Sequence, residues 1–122
     1  MLGTSGTVTT LGAVHLNLPY YSRSRIDGLQ LNFKDISAAS RQLTGLDYKG
    51  RAALPCIGRE RAELVIPGCA ILDAICRTWP VGKLRVADRG LREGMLLELM
   101  MADGFPVYGN PPATEIIGKS PQ

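Results

Sequence analysis

Two segments of this chain carry residue types suited to holding an anion. The first is Gly3-Thr4-Ser5-Gly6-Thr7-Val8-Thr9-Thr10. Its two glycines let the backbone turn tightly and approach a ligand closely. Amides of such a turn, together with those opening the helix behind it, point at one spot, where the helix dipole favours a group such as phosphate. Thr4, Ser5 and Thr7 add hydroxyl donors. A turn of this composition that merely caps a helix is the plainer alternative. The second segment is Glu60-Arg61-Ala62-Glu63, the polar start of a long apolar stretch. An arginine at such a border can grip two phosphate oxygens at once; a surface ion pair with a neighbouring glutamate is its alternative. A third stretch, Asp88-Arg89-Gly90-Leu91-Arg92-Glu93-Gly94, follows a predicted strand. Open α/β sheets place ligand crevices at such strand ends, but a capped helix would use the same residues.

Other chemistries find little support. No lysine follows Gly6 at the spacing of a Walker loop, and the dinucleotide fingerprint is absent as well. His15 is the only histidine and falls within an apolar helical period, which reads as a packed or partly exposed residue rather than a catalytic base. Without an acidic cluster, a metal site of the usual donor types is not expected. Cys56, Cys69 and Cys76 are an odd set with no C-x-x-C spacing, which argues against a disulfide framework or a zinc site and for a reducing, cytoplasmic setting. The net charge of +3 suits an anionic ligand. Basic residues are scattered and aromatics make up only 6%, so nucleic-acid binding is not expected. The longest apolar run, Leu64 to Trp79, is broken by Pro67, Gly68, Asp73 and Arg77, which excludes it as a membrane span. Met1 to Gly6 has neither a basic nor an apolar region of the kind a signal peptide needs.

The elements that would position these residues follow from periodicity. Met1-Leu2 reads as the stub of a strand entering the Gly/Thr/Ser turn. A helix from about Thr7 to Leu16 follows, with Val8, Leu11, Val14 and Leu18 on its apolar period and Pro19 closing it. Ile26 to Leu31 alternates as a short strand. Asn32 with Asp35 forms a capping-box pattern for a helix that turns Phe33, Ile36, Ala39 and Leu43 inward and stops near Gly45. A helical turn after Asp47 leads to a breaker cluster from Pro55 to Gly58. Arg59 to Trp79 reads as one helix, kinked by Pro67 near Glu63 to Ile66 and buried all round beyond Leu64. Gly68 inside it predicts a close neighbour, since glycine there costs about 1 kcal/mol against alanine. Lys83 to Ala87 reads as a strand and Leu91 to Met101 as a final helix. From Gly104 on, prolines and lost periodicity suggest a loose tail. The order is α/β, yet the strands are too few to cover the helices, which predicts part of a domain and an exposed apolar face prone to self-association, as in a homodimer.

Taken in order, GTSGTVTTLGAVHL, ERAELVIPGCAILDAI and LRVADRGLREGMLLELM resemble the C-terminal part of the actin-like domain in the exopolyphosphatase/guanosine-pentaphosphate phosphatase family. Ile26-Asp27-Gly28-Leu29 is similar to that family's short V-x-G-L strand. The resemblance covers roughly residues 1 to 101. It implies the two-lobed fold of sugar kinases, actin and heat-shock chaperones, with residues 1–103 as part of the second lobe and 104–122 as the tail. It implies hydrolysis of terminal phosphates from inorganic polyphosphate or guanosine pentaphosphate, with magnesium as the usual metal.

The family's catalytic glutamate and its two glycine-rich phosphate loops belong to a part that precedes the matched segment, and neither loop pattern occurs in these residues. A partial site is therefore implied: no catalytic residue, and a phosphate-binding set of Gly3, Thr4, Ser5, Gly6, Thr7 and Arg61. The Gly3–Thr7 turn matches a G-T-A/S-G-T loop and Arg61 the arginine of an E-R-A motif. Asp88 to Gly94 matches a D-x-x-L-R-E-G motif taken as mainly structural. Three readings compete: a phosphatase fragment that works beside its missing half, a non-catalytic anion- or nucleotide-binding module, and an inactive remnant.

Overall fold

The computed structural model describes residues 1–106. The chain divides into two compact units, Met1–Asp88 and the residues from Arg89 on. In the first, β1 (Leu2–Gly3) runs into α1 (Gly6–His15), followed by a short α2 (Arg23–Ile26), β2 (Gln30–Asn32) and α3 (Phe33–Thr44). Two short helices, α4 (Tyr48–Ala53) and α5 (Gly58–Arg61), lead to α6 (Val65–Thr78) and β3 (Lys83–Val86). The second unit holds α7 (Leu91–Ala102).

The three strands form one sheet in the order β1-β3-β2. β1 is parallel to β3, with Leu2 opposite Arg85 and Gly3 opposite Val86. β2 is antiparallel to β3, with Leu31 opposite Leu84. Along β3 the side chains alternate: Leu84 and Val86 are buried, Lys83 and Arg85 exposed. That alternation belongs to a sheet covered on one face. The covering elements are helices. A side chain at Gly12 of α1 would meet Leu29, Ile26 and Val86, so α1 lies against the sheet. α1 also packs on α3 and α6, and α3 on α6. The core they enclose includes Leu11, Ile26, Leu43 and Val86, all fully buried.

Local signals explain several element ends. Asn32 and Asp35 form the expected capping box: the Asn32 N–H donates to Asp35 Oδ2 at 3.0 Å. Asp47 caps α4 by accepting from the Gly50 N–H at 2.7 Å. The strand expected from Ile26 is shorter, because Ile26 closes the helical turn α2 and Gly28 takes a positive φ of 82°. Pairing with β3 nevertheless starts there, through Gly28 N–H to Val86 O and Val86 N–H to Leu29 O, both 2.8 Å.

The single helix expected over Arg59–Trp79 is two helices, separated at Ala62–Leu64. Arg51 on α4 donates from Nε to the Ala62 carbonyl at 2.8 Å and also bonds the Leu46 carbonyl. The Ala62 carbonyl thus has a side-chain donor at the break. Pro67 falls in the first turn of α6, where a missing N–H costs nothing. Nor is α6 buried all round. Its buried residues are Val65, Cys69 and Leu72, one stripe at helical spacing, while Ile71 and the following Trp79 are about 60% exposed (62% and 58%). The described elements supply cover for one side of α6. Cys56 and Cys69 are buried and Cys76 half-buried, all as free thiols whose pKa values burial pushes up. No helix of the described residues is long and apolar enough to cross a membrane. The expected tail from Gly104 lies outside the described residues beyond Pro106.

Candidate functional site

β1 and β3 run parallel, so the turn after β1 and the chain after β3 leave the same edge of the sheet. The turn is Gly3–Thr7 and the other segment begins Ala87-Asp88. They are tied together by the Ala87 N–H, which donates to Gly3 O at 2.8 Å. Strand ends of this kind are where open α/β sheets hold ligands.

Ser5 is the N-cap of α1, its oxygen accepting from the Val8 N–H at 3.4 Å. Thr9 Oγ1 reaches back to Gly6 O at 3.0 Å and fixes the first turn. Among the described residues no hydrogen bond occupies the N–H groups of Gly6 and Thr7. Beside them is an open cleft of about 260 Å³ lined by Gly6, Thr7, Thr10, Arg61, Leu64 and Val65. Arg61 is exposed at the end of α5 and closes no ion pair among the described residues. The alternative, an ion pair with Glu60 or Glu63, does not form among the described residues. Gly6 and Thr7 at the start of α1 and Arg61 at the end of α5 therefore line one cleft, a set of residue types that suits an oxyanion.

Two glycines of the segment differ in what they do. A side chain at Gly6 would meet nothing within 4 Å, so this position opens onto space. A side chain at Gly3 would stand 2.9 Å from the Val8 methyls and 3.1 Å from Leu84, so Gly3 is small for packing. Gly3, Thr4 and Ser5 line a different hollow, with Leu72, Ile75 and Trp79. The six expected site residues thus separate into Gly6, Thr7 and Arg61 at the cleft, and Gly3, Thr4 and Ser5 on the Trp79 side. Gly68 of α6 has the close neighbour its presence predicted: a Cβ there would lie 2.2 Å from Thr7 Oγ1. α6 therefore sits hard against the Thr7 side chain at the cleft wall.

Three further residues adjoin this edge without having been expected. Tyr21 Oη donates to Asp88 Oδ1 at 2.6 Å, Arg23 Nε bonds Asp88 Oδ2, and the Asp88 N–H donates to Asp27 Oδ1 at 3.0 Å. The Tyr21 bond, with Arg23 and Arg61 nearby, holds the Asp88 carboxyl below its ordinary range against the opposing effect of burial. Partial burial and the bond to Asp88 raise the Tyr21 phenol. Sequence separations of 67 and 65 residues leave no local signal for such contacts. In the second unit the Gly90 N–H donates to Glu93 Oε2 at 2.8 Å, so Glu93 caps α7. His15 is exposed at the end of α1.

This α/β arrangement is a partial actin-like lobe. A profile of the Ppx/GppA phosphatase family matches residues 1–103, and the chain belongs to that family. It is 26% identical over 102 residues to Exopolyphosphatase 2 of Mycobacterium tuberculosis, covering 80% of this chain and 32% of that protein. The Aquifex aeolicus Ppx/GppA phosphatase, in its type II variant, superposes with a TM-score of 0.74 at 27% identity, over 81% of this chain and 33% of that one. Another crystal structure of the Aquifex aeolicus family member gives 0.77 at 24% identity, over 86% and 35%. The chain spans about one third of the length of these relatives.

Proposed function

We propose that this chain supplies the phosphate-gripping wall of an exopolyphosphatase or guanosine-pentaphosphate phosphatase, whose hydrolysis of terminal phosphates needs the rest of the family's fold. The observation that supports this reading is that Gly6, Thr7 and Arg61 line one open cleft, with no hydrogen bond among the described residues occupying the Gly6 and Thr7 N–H groups. In it the two amides and the α1 dipole receive one phosphoryl group, and Arg61 takes a pair of oxygens from it or its neighbour. Gly3, Thr4 and Ser5 act one step removed, by setting the turn and its cap. Family membership supports polyphosphate as substrate; guanosine pentaphosphate has the same terminal phosphates. The described residues offer no group of three or more His, Cys, Asp or Glu for a metal, so they do not by themselves fit the magnesium the family uses, and no step is assigned to it. Free thiols suit a cytoplasmic setting, and the exposed face of α6 supports self-association.

Calorimetric titration of the chain with sodium tripolyphosphate tests the reading. Wild type binds, and Arg61→Ala weakens binding about tenfold or more, since a charge-assisted bond is worth roughly 1.5 to 3 kcal/mol. The melting temperature barely moves, because Arg61 is exposed and closes no ion pair among the described residues. Arg61→Lys does not restore full affinity if the contact is bidentate. The chain alone releases no phosphate; magnesium-dependent release by it would show that a general base lies within these residues. Unchanged binding in Arg61→Ala would assign the residue to the surface.

A further inference from the structure

Gly68 lies in the interior of α6, where glycine is less favourable than any residue except proline. Among the described residues the glycines with a positive φ are Gly28, Gly58, Gly82 and Gly104, so Gly68 is not there for its backbone. What it supplies is the absence of a side chain. A Cβ there would stand 2.2 Å from Thr7 Oγ1, 3.0 Å from its Cγ2 and 3.1 Å from its Cβ, so the branch of Thr7 fills that space itself. The same two helices wall the anion cleft. Thr7 and Thr10 line it from α1, and Leu64 and Val65 line it from the start of α6, with Arg61 beside them. Gly68 follows Leu64 by four residues and Val65 by three, so they share one face of α6. The Thr7–Gly68 contact is therefore a point where the two walls meet. The separation of packed helices follows the side chains at their contact, and here a threonine rests on bare backbone.

We infer that Gly68 is a specificity-determining residue of the cleft: by letting Thr7 rest on the α6 backbone it sets the width of the cleft, and with it the shortest phosphate that both walls can hold. The inference rests on the phosphate-gripping reading and adds to it a preference by ligand length. At the width that glycine allows, one phosphoryl group meets the α1 amides and Arg61 together. A methyl at position 68 parts the helices. A lone phosphate then reaches one wall at a time, whereas a chain of phosphates still spans the gap. Gly68 does not itself line the cleft, so it acts through the position of Thr7.

Gly68→Ala, Thr7→Ala and the two together, each made in the 122-residue chain, test this. The first readout needs no ligand. Gly68→Ala lowers the urea midpoint, and the same change made on Thr7→Ala costs far less, because the atoms at 2.2 Å and 3.0 Å are gone. The second readout is the ratio of affinities for sodium phosphate and sodium tripolyphosphate, taken from shifts of the backbone amides on titration. Gly68→Ala weakens orthophosphate about tenfold, the scale of one charge-assisted contact, and tripolyphosphate by less. Thr7→Ala takes away the spacer and moves the ratio toward orthophosphate, and it reports even if Gly68→Ala fails to fold. The double variant lies between the two. Equal weakening of both ligands by Gly68→Ala would mean that Thr7 turns into the cleft without opening it, and overturns the inference. So does a ratio in Thr7→Ala that matches wild type, or a midpoint loss at position 68 that is the same with and without the Thr7 side chain. Wild type that binds neither phosphate overturns the phosphate-gripping reading and the length preference with it. The midpoint comparison, run without ligand, then still decides whether Thr7 spaces α1 from α6.

Discussion

α1 and α6 lie against each other in the same unit and reach opposite outcomes. α1 is the more polar by sequence, with three threonines in ten residues, yet Val8 through Val14 are buried without a gap. α6 is nearly all apolar from Cys69 to Cys76, interrupted by Asp73, yet it buries one stripe, Val65, Cys69 and Leu72. The difference lies in the neighbours rather than in the helices. α1 has the sheet on one side and α3 and α6 on others, and Thr9 satisfies its hydroxyl on Gly6 O. α6 meets α3 and α1 and presents Ile71 and Ala74 outward. Hydrophobicity states what a helix can afford to hide, and only the surrounding elements decide what is hidden.

The sharpest way to break this comparison is to remove one side chain from each helix. Leu11 of α1 is fully buried, so Leu11→Ala leaves a cavity and costs about 2–5 kcal/mol. Ile71 of α6 is 62% exposed, and Ile71→Glu moves stability by no more than about 0.5 kcal/mol. Urea unfolding midpoints measure both. Ile71→Glu also lowers concentration-dependent association in sedimentation runs, because it places charge in the exposed apolar face. Equal losses of stability at the two sites would show that something covers α6 after all.

The contact between the two helices can be probed through glycines. Gly68→Ala puts a methyl on Thr7 Oγ1, where a Cβ stands at 2.2 Å, so the Thr7 side chain must turn or the helices move apart. The expected cost is about 1–3 kcal/mol, with weaker tripolyphosphate binding because Thr7 lines the cleft. Gly6→Val does the reverse. Its side chain enters open space, so the melting temperature stays near wild type while binding falls by crowding of the cleft. If Gly6→Val left binding intact, the ligand would have to approach from another side.

How much of this could be read beforehand follows the range of each interaction. The cap at Asn32 and Asp35, the course of α1 and the inward set Ile36, Ala39 and Leu43 depend on residues within a few positions, and they agree with the structure. Gly6, Thr7 and Arg61 were legible as types, and their meeting in one cleft came from the fold. Gly3 was legible as a glycine but not as one required by packing on Val8 and Leu84. The break at Ala62–Leu64 was hidden because an Arg51 donor 11 residues away marks it, whereas Pro67 drew attention to itself and sits where it is harmless. The burial of α6 was overestimated because a sequence does not show which neighbours are supplied. Nothing within a few positions of Tyr21 or Arg23 points to Asp88, which the chain after β3 brings to them.

The smallest effect expected is in the response to acid. Asp88 has its pKa lowered in the folded chain from an ordinary value of 3.8, first by the hydrogen bond from Tyr21 and then by Arg23 and Arg61, with burial opposing. A carboxyl whose folded pKa lies below its unfolded one binds fewer protons folded than unfolded. Its contribution to stability is therefore complete above the unfolded value and is lost as pH falls through that value toward the folded one. Melting temperatures taken between pH 7 and pH 3 should fall at the acid end in wild type. Asp88→Asn removes this carboxyl, so it starts lower at pH 7 and declines less steeply below about pH 4. Tyr21→Phe removes the largest lowering cause and keeps the carboxyl, so it falls between the two. A Tyr21→Phe profile that overlaid wild type throughout would mean that the phenol adds nothing to holding Asp88 ionised.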